Sequence, residues 1–299
     1  MKPSTPSSSA AEEVTFLTYH ALVERAEELG RFAPEARLYV FTLDEFRRHL
    51  DHLAAEGFTA ISMAGFLQWH QGQAPLPRRP ILLSFDDGHI SNAELALPAL
   101  CERGQRAIFF ITAGRIQGDC RLPIADRRFQ PEPPDKGCWI TWPHLQSLLA
   151  AGMEVGSHGL SHRAPASLAV EELRRELVES KRILQEGLGT AIDFVASPTG
   201  YDSRHLAPLA REAGYKAALQ GVIGRNSRST DPFALRRIVL KRTMDFALFC
   251  RLVDPASRAY RSLRARQMAR NALRRLLGER GYEALRRRLL ARGENSSGC

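Results

Sequence analysis

Several things are scarce in this sequence, and each scarcity narrows what the chain can be. None of its 299 positions begins a run of eighteen apolar residues, so no transmembrane helix is expected. The opening stretch, Met1-Lys2-Pro3-Ser4-Thr5-Pro6-Ser7-Ser8-Ser9-Ala10, lacks the apolar centre of a signal peptide. Residues 1–13 therefore read as a disordered leader without an export address, and the cytoplasm is the default expectation. The five cysteines, Cys101, Cys120, Cys138, Cys250 and Cys299, are odd in number and show no metal-ligand spacing. That argues against a disulfide framework and for free thiols, although Cys120 and Cys138 flank one loop and could pair in an oxidising compartment. Aromatic residues interleaved with basic ones are nearly absent, and no nucleic-acid-binding motif occurs, so nucleic acid is not an expected partner.

What is present points to one sizeable core: 44% of the residues are hydrophobic, enough for a single barrel-like domain of about 14–250 with a tail. The net charge of +9 is confined to that tail, because residues 251–299 hold thirteen Arg and no Lys against only Asp254, Glu279, Glu283 and Glu294. The preceding part is neutral. Leu263, Met268, Leu273, Leu276, Leu277, Leu285 and Leu289 recur among the arginines, which reads as basic amphipathic helices broken at Gly278 and Gly281. Such helices can close a barrel with a solvated face, or they can meet an anionic membrane surface.

The most informative stretch is Ile81-Leu82-Leu83-Ser84-Phe85-Asp86-Asp87-Gly88, which follows the breakers Pro75, Pro77 and Pro80. A short apolar run bounded in this way is a buried strand. It ends in two adjacent carboxylates, whose mutual repulsion is relieved if one binds a cation and the other stays free as a base; an ordinary Asp-Gly turn is the plainer alternative. About seventy residues on, Met153-Glu154-Val155-Gly156-Ser157-His158 is a second short strand. His162 follows at a spacing of four, which puts both imidazoles on one side if the segment turns helically. Asp87, His158 and His162 would give a two-His, one-carboxylate set that leaves coordination positions open, as a catalytic divalent metal needs. Zinc is the expected ion.

With these residues the chain resembles the polysaccharide deacetylase (NodB-homology) family of metal-dependent carbohydrate esterases. Ser84-Phe85-Asp86-Asp87-Gly88, Ala107-Ile108-Phe109-Phe110-Ile111, Trp139-Ile140-Thr141-Trp142 and Gly152-Met153-Glu154-Val155-Gly156-Ser157-His158 carry the resemblance, which spans roughly residues 14 to 240. It implies Asp86 as general base and Asp87, His158 and His162 as metal ligands. It also implies a distorted (β/α)7-type barrel acting on an acetylated polysaccharide or oligosaccharide.

The order of elements agrees with an α/β architecture. Val14 to His20 is the first strand, and Thr42 with Glu45 forms a capping box opening a helix that carries Phe46, Leu50 and Leu53. A short strand over Phe58 to Met63, a helix from Ser91 to Arg103, and strands at Ala107–Ile111, Ile192–Ala196, Tyr215–Gln220 and Leu235–Leu240 follow. The proline-rich residues 114–138 read as a long functional loop walling a substrate groove. Trp139 and Trp142 are candidates for sugar stacking, although a core role is the commoner one.

Two departures from the family pattern matter. The strand-end motif is Ser197-Pro198-Thr199-Gly200-Tyr201 rather than Pro-Tyr-Gly, and no upstream Arg accompanies it. Thr199 would then offer its backbone N–H to the oxyanion, and what tunes Asp86 is unassigned. The last of nine histidines is His205, so the acid histidine of most relatives, near the end of the domain, has no counterpart. In the permuted branch that includes poly-N-acetylglucosamine deacetylases, that residue follows a Tyr in the first strand. Tyr19-His20 matches and makes His20 the candidate general acid, ahead of His89, His144 and His205. The resemblance thus implies a deacetylase of N-acetylhexosamine-containing glycans. A related amidase or deformylase on a small substrate, and a catalytically weak glycan-binding protein, are the alternatives.

Overall fold

The structure is a computed structural model that describes residues 12–116, 139–200 and 203–273. Most of the leader, residues 117–138 of the long loop with Cys120 and Cys138, Tyr201, and residues 274–299 with Cys299 lie outside the described residues. Cys101 and Cys250 are free thiols.

The strands are β1 (Glu13–Tyr19), β2 (Ala21–Val23), β3 (Val40–Thr42), β4 (Thr59–Ala60), β5 (Pro80–Phe85), β6 (Ile108–Ile111), β7 (Glu154–Ser157), β8 (Phe194–Ala196), β9 (Ala217–Leu219), β10 (Arg225–Ser227) and β11 (Ile238–Val239). The helices are α1 (Pro34–Arg37), α2 (Leu43–Ala55), α3 (Met63–His70), α4 (Leu97–Cys101), α5 (Trp142–Ala150), α6 (Val170–Leu188), α7 (Leu206–Glu212) and α8 (Phe246–Val253). The main sheet runs β10-β1-β5-β6-β7-β8-β9, with β11 also on β1 and β4 also on β5. Its neighbours from β1 to β9 are parallel, whereas β10 is antiparallel to β1.

One segment draws the edges of this curled sheet together. Leu235 bridges to Leu219 of β9, and its N–H donates to the Ala218 carbonyl at 3.1 Å. Three residues later β11 pairs with β1. The result is a distorted barrel. Successive side chains along a strand face opposite ways, so Phe16, Leu82, Ile108, Phe110, Phe194, Ala196 and Leu219 form one buried cluster inside. Leu17, Tyr19, Leu83, Phe85, Phe109 and Val155 pack outward against Phe46, Leu50, Leu145, Leu173, Leu177 and Phe249 of the helices. α3 adds Met63, Phe66, Leu67 and Trp69 to the inner cluster. Its first N–H groups, of Met63 and Ala64, donate to Glu154 at the start of β7, at 2.6 and 3.1 Å. α3 therefore plugs the end where strands begin and leaves the opposite, C-terminal rim for chemistry.

Local differences from the sequence reading have local causes. The Thr42–Glu45 capping box forms, with Glu45 N–H to Thr42 Oγ1 at 3.1 Å and Thr42 N–H to Glu45 Oε2 at 2.7 Å. The strand expected over Phe58–Met63 shrinks to β4, because the Ser62 hydroxyl accepts the Gly65 N–H and starts α3 at once. The helix expected over Ser91–Arg103 opens as a π-turn over Asn92–Ala96 before α4, where Pro98 offers no N–H to an α-pattern. β2, β3 and β10, of three residues each, are not expected from the sequence; β10 is the polar triplet Arg225-Asn226-Ser227, without apolar alternation.

After α8, residues 259–273 are helical. Their docking comes from Tyr260, which is buried, and from Arg225, which donates to the carbonyls of Leu252, Asp254 and Pro255 and lies 5.0 Å from the Tyr260 ring centroid. Among the described residues no helix is long and apolar enough to cross a membrane.

Candidate active site and metal centre

β1 and β5 run in register, Thr18 beside Ser84 and Tyr19 beside Phe85, and the Asp86 N–H donates to the Tyr19 carbonyl at 3.0 Å. One step further along the two strands, His20 and Asp86 come to the same rim. Asp86 is buried, with 2% of its surface exposed. Asp87 and Gly88 both have left-handed backbone, φ 76° and 82°, so the chain turns sharply just past β5, and Asp87 Oδ1 lies 3.4 Å from His158 Nε2. Gly88 suits this turn by its φ, and the space beside it is tight. A Cβ there would stand 3.3 Å from Ile111 and Ile140.

His158 follows β7, and its Nδ1 lies 2.9 Å from the Ala196 carbonyl of β8. Donating there fixes the ring and leaves the Nε2 lone pair facing the acids. His162 arrives by a route the sequence did not suggest. Its segment does not turn helically; Gly159 and His162 adopt left-handed backbone, φ 79° and 62°, and bend the chain back. His162 Nε2 then lies 2.8 Å from Asp87 Oδ1, and His158 Nε2 lies 3.7 Å from Asp86 Oδ2.

Asp87, His158 and His162 each offer one atom to a common point, all within 4.8 Å of one another. Ligands about 2.0–2.2 Å from a tetrahedral zinc stand ~3.3 Å apart; the 3.4 Å between Asp87 and His158 matches that spacing, and the 2.8 Å between Asp87 and His162 is shorter. Asp87 Oδ1 is buried and, despite its nearness to His162, accepts no aligned hydrogen bond. A buried acceptor without a donor, facing two imidazole nitrogens, fits a cation. Burial works against ionisation of Asp87, but His162 and His158 outweigh it and hold the carboxyl well below the usual carboxylate range.

Asp86 has a partner that the sequence reading missed. Arg237 Nη1 donates to both its oxygens, at 2.9 and 2.6 Å. The same guanidinium donates through Nη2 to the Ser197 carbonyl at 2.8 Å and through Nε to Gln220 at 3.2 Å. Arg237 is itself 2% exposed. The Arg missing beside the Ser197-Pro198-Thr199-Gly200 motif is thus supplied from the segment before β11. Its only trace in the sequence is as one of two adjacent arginines, Arg236 and Arg237, inside the otherwise apolar run Leu235–Leu240.

His20 lies among these groups. Burial lowers its pKa below the ordinary histidine value; Asp87 and Asp86 oppose this, and Arg237 and His158 add to it. Its ring is 5.0 Å from Tyr39, and Nδ1 is buried without a hydrogen-bond partner. Thr199 stands on the turn after β8, exposed, with φ 60°. Of the other histidines, His144 bonds Thr141 at the start of α5, and His205 sits beside Arg204 at the start of α7. His89 contacts Ser91 and faces Trp139, whose ring is covered by Arg115 at 4.5 Å. Trp142 packs on Gly187 of α6, where no Cβ could fit.

The sequence and the fold are similar to those of known deacetylases. Residues 73–218 match the polysaccharide deacetylase family model. The chain is 21% identical over 206 residues to YxkH of Bacillus subtilis, covering 69% of this chain and 67% of that protein. It is 22% identical over 156 residues to the peptidoglycan-N-acetylglucosamine deacetylase of Bacillus cereus, covering 52% of this chain and 61% of that one. The fold resembles that of the Streptococcus pyogenes deacetylase PplD, solved in complex with acetate, with a TM-score of 0.69, 19% identity, and 81% and 99% of the two chains covered. Over residues 73–218 the chain is thus similar to the polysaccharide deacetylase family. Deacetylases of the kind these relatives are named for are hydrolases of C–N bonds other than peptide bonds.

Proposed function

We propose that this protein is a metal-dependent deacetylase that removes N-acetyl groups from an N-acetylhexosamine-containing polysaccharide or glycan intermediate. The observation that carries the reading is the pairing of two unlike carboxylates at one strand end. Asp87 faces two imidazoles, while Asp86, one residue earlier, is held by a buried arginine.

Asp87, His158 and His162 would hold a divalent ion, zinc by its liking for this donor set, and the ion would polarise the acetamide carbonyl and acidify a water. Asp86 takes the proton from the attacking water. Arg237 keeps that carboxylate fixed and satisfied on one side, so its geometry is set before substrate arrives. His20, protonated, gives its proton to the nitrogen of the departing sugar amine, a transfer that contributes roughly 10²–10⁴-fold. The Thr199 N–H is assigned to the developing oxyanion.

Two facts about relatives support the substrate class. The Bacillus cereus relative is named for N-acetylglucosamine in peptidoglycan, and PplD was solved with acetate. The Arg-rich segment from residue 251 is assigned to an anionic surface that would keep the enzyme near its glycan, because no acidic residue falls between Asp254 and Glu279. Co-sedimentation with anionic against neutral liposomes tests that assignment. The main test is acetate release from defined N-acetylglucosamine oligomers by protein stripped of metal and reloaded with zinc, cobalt or nickel. Metal-restored release supports the reading, and release that survives stripping contradicts it.

A further inference from the structure

The loop that delivers His162 is held on two sides: its Gly159 and Leu160 carbonyls accept the N–H groups of Ala113 and Gly114 at 3.0 and 2.8 Å, and its N–H groups turn to α6, where Glu176 takes most of them. The Glu176 carboxylate is buried, with 9% exposure. Its Oε2 accepts the backbone N–H of Leu160 at 2.7 Å and of Ser161 at 2.9 Å, and its Oε1 accepts the Ser161 hydroxyl. One helical turn on, Ser180 Oγ meets Ser157 Oγ at 2.8 Å, and Ser157 Oγ accepts the Gly159 N–H at 3.1 Å. Thus the N–H groups of residues 159, 160 and 161, all those between the two histidines, end on groups anchored to α6. Gly159 fits the same clamp, since a Cβ there would stand 3.2 Å from Glu176 Oε2.

These contacts have a consequence for His162. A residue with left-handed backbone persists only where its surroundings over-determine it. His162 has φ 62° and follows directly on the two N–H groups that Glu176 holds. His158 needs no such help, because β7 and the Ala196 carbonyl fix it. The two imidazoles therefore differ: one is set by the barrel alone, whereas the other also depends on a carboxylate of the outer helix layer that holds the N–H side of its loop.

We infer that Glu176 is a positioning residue for the metal centre, one that pre-forms the His162 arm through the backbone of residues 160–161 without touching ligand or substrate. This rests on the metal-dependent reading above. Groups behind a ligand typically change metal affinity by about 10–100-fold when removed, and the same range applies here.

The experiment measures zinc affinity by competition with a chromophoric chelator for the wild type, Glu176→Leu, Glu176→Gln and Ser161→Ala. Glutamine keeps a carbonyl for the two N–H groups and can turn its amide to the Ser161 hydroxyl, so it should stay within about threefold of wild type, below the range just cited. Leucine should weaken zinc by about 10–100-fold. Ser161→Ala removes one of the three contacts, and a loss between those two is expected. It decides the matter if the leucine variant fails to fold. A purely structural role would lower the melting temperature of the metal-free protein and leave zinc affinity alone. Zinc bound by the leucine variant, or by Ser161→Ala if leucine does not fold, as tightly as by wild type overturns the inference. Wild-type protein that binds no zinc overturns the metal-dependent reading instead, so the two failures are distinguishable.

Discussion

Replacing Arg237 by methionine should be among the most damaging single changes in the chain, for a reason that can be measured separately from catalysis. Arg237 and Asp86 are each 2% exposed and are joined through one nitrogen and both carboxylate oxygens, at 2.9 and 2.6 Å. The same guanidinium also satisfies the Ser197 and Gln220 carbonyls. Methionine fills much of the volume but leaves a buried carboxylate without its cation. Breaking such a pair from one side costs about 3–5 kcal/mol. Removing the second charge relieves most of that penalty, so Asp86→Asn introduced into Arg237→Met should cost far less than it does alone. Urea unfolding of the wild type, both single variants and the double variant gives the coupling directly, and about 1–3 kcal/mol is expected for groups in direct contact. Additivity within about 0.5 kcal/mol would refute the pairing, since that is the behaviour of distant sites.

Two further outcomes concern pH. His20 must carry a proton to act as acid, and burial puts its pKa below the ordinary value; kcat/KM should therefore fall as pH rises through a limb below about 6.5. His20→Gln should abolish that limb in a pH–rate profile, and a limb that survives in the variant assigns the acid elsewhere. His49, buried against Phe249 with ring centroids 3.9 Å apart and 3.1 Å from the Tyr19 hydroxyl, is lowered to about 4 by burial, with Arg48 and His52 adding to it. Above about pH 6.5 neither folded nor unfolded chain holds this proton. Between there and about 4 only the unfolded chain takes it up, so stability falls with falling pH, by about 3 kcal/mol at most. Chemical unfolding at pH 7, 6, 5 and 4 should show this slope in the wild type and a shallower one in His49→Gln; equal slopes would show that His49 does not carry it.

What could be read from the sequence was what is local. β5 shows itself as an apolar run because both its faces are buried, and its end is marked by two acids and a glycine that must take a left-handed turn. The Thr42–Glu45 cap is legible because both partners lie within one turn. Arg237 and Glu176 are not, because what makes them matter is distant in the chain. Asp86 and Arg237 are 151 residues apart, and only closure of the sheet through residues 235–239 brings them together. Glu176 looks like one more acid on the amphipathic helix α6 until its loop is folded over it. The helical turn expected between His158 and His162 fails for the same reason. The N–H groups of Leu160 and Ser161 find Glu176 on α6 and that of Gly159 finds the Ser157 hydroxyl of β7, so the segment has no need of an internal helical bond. β10 is hidden by its polarity, and Arg225 within it serves the carbonyls at and just past the end of α8 rather than solvent.

The central claim is that one carboxylate at the end of β5 binds an ion while its neighbour remains free to take a proton. Metal content and turnover, measured together on Asp86→Asn and His158→Ala after zinc loading and desalting, test it most directly. The account predicts about one zinc per chain in Asp86→Asn with deacetylation lowered by roughly 10²–10⁴-fold, and loss of both zinc and activity in His158→Ala. An Asp86→Asn variant that deacetylates at the wild-type rate, or a His158→Ala variant that keeps its zinc, would contradict it.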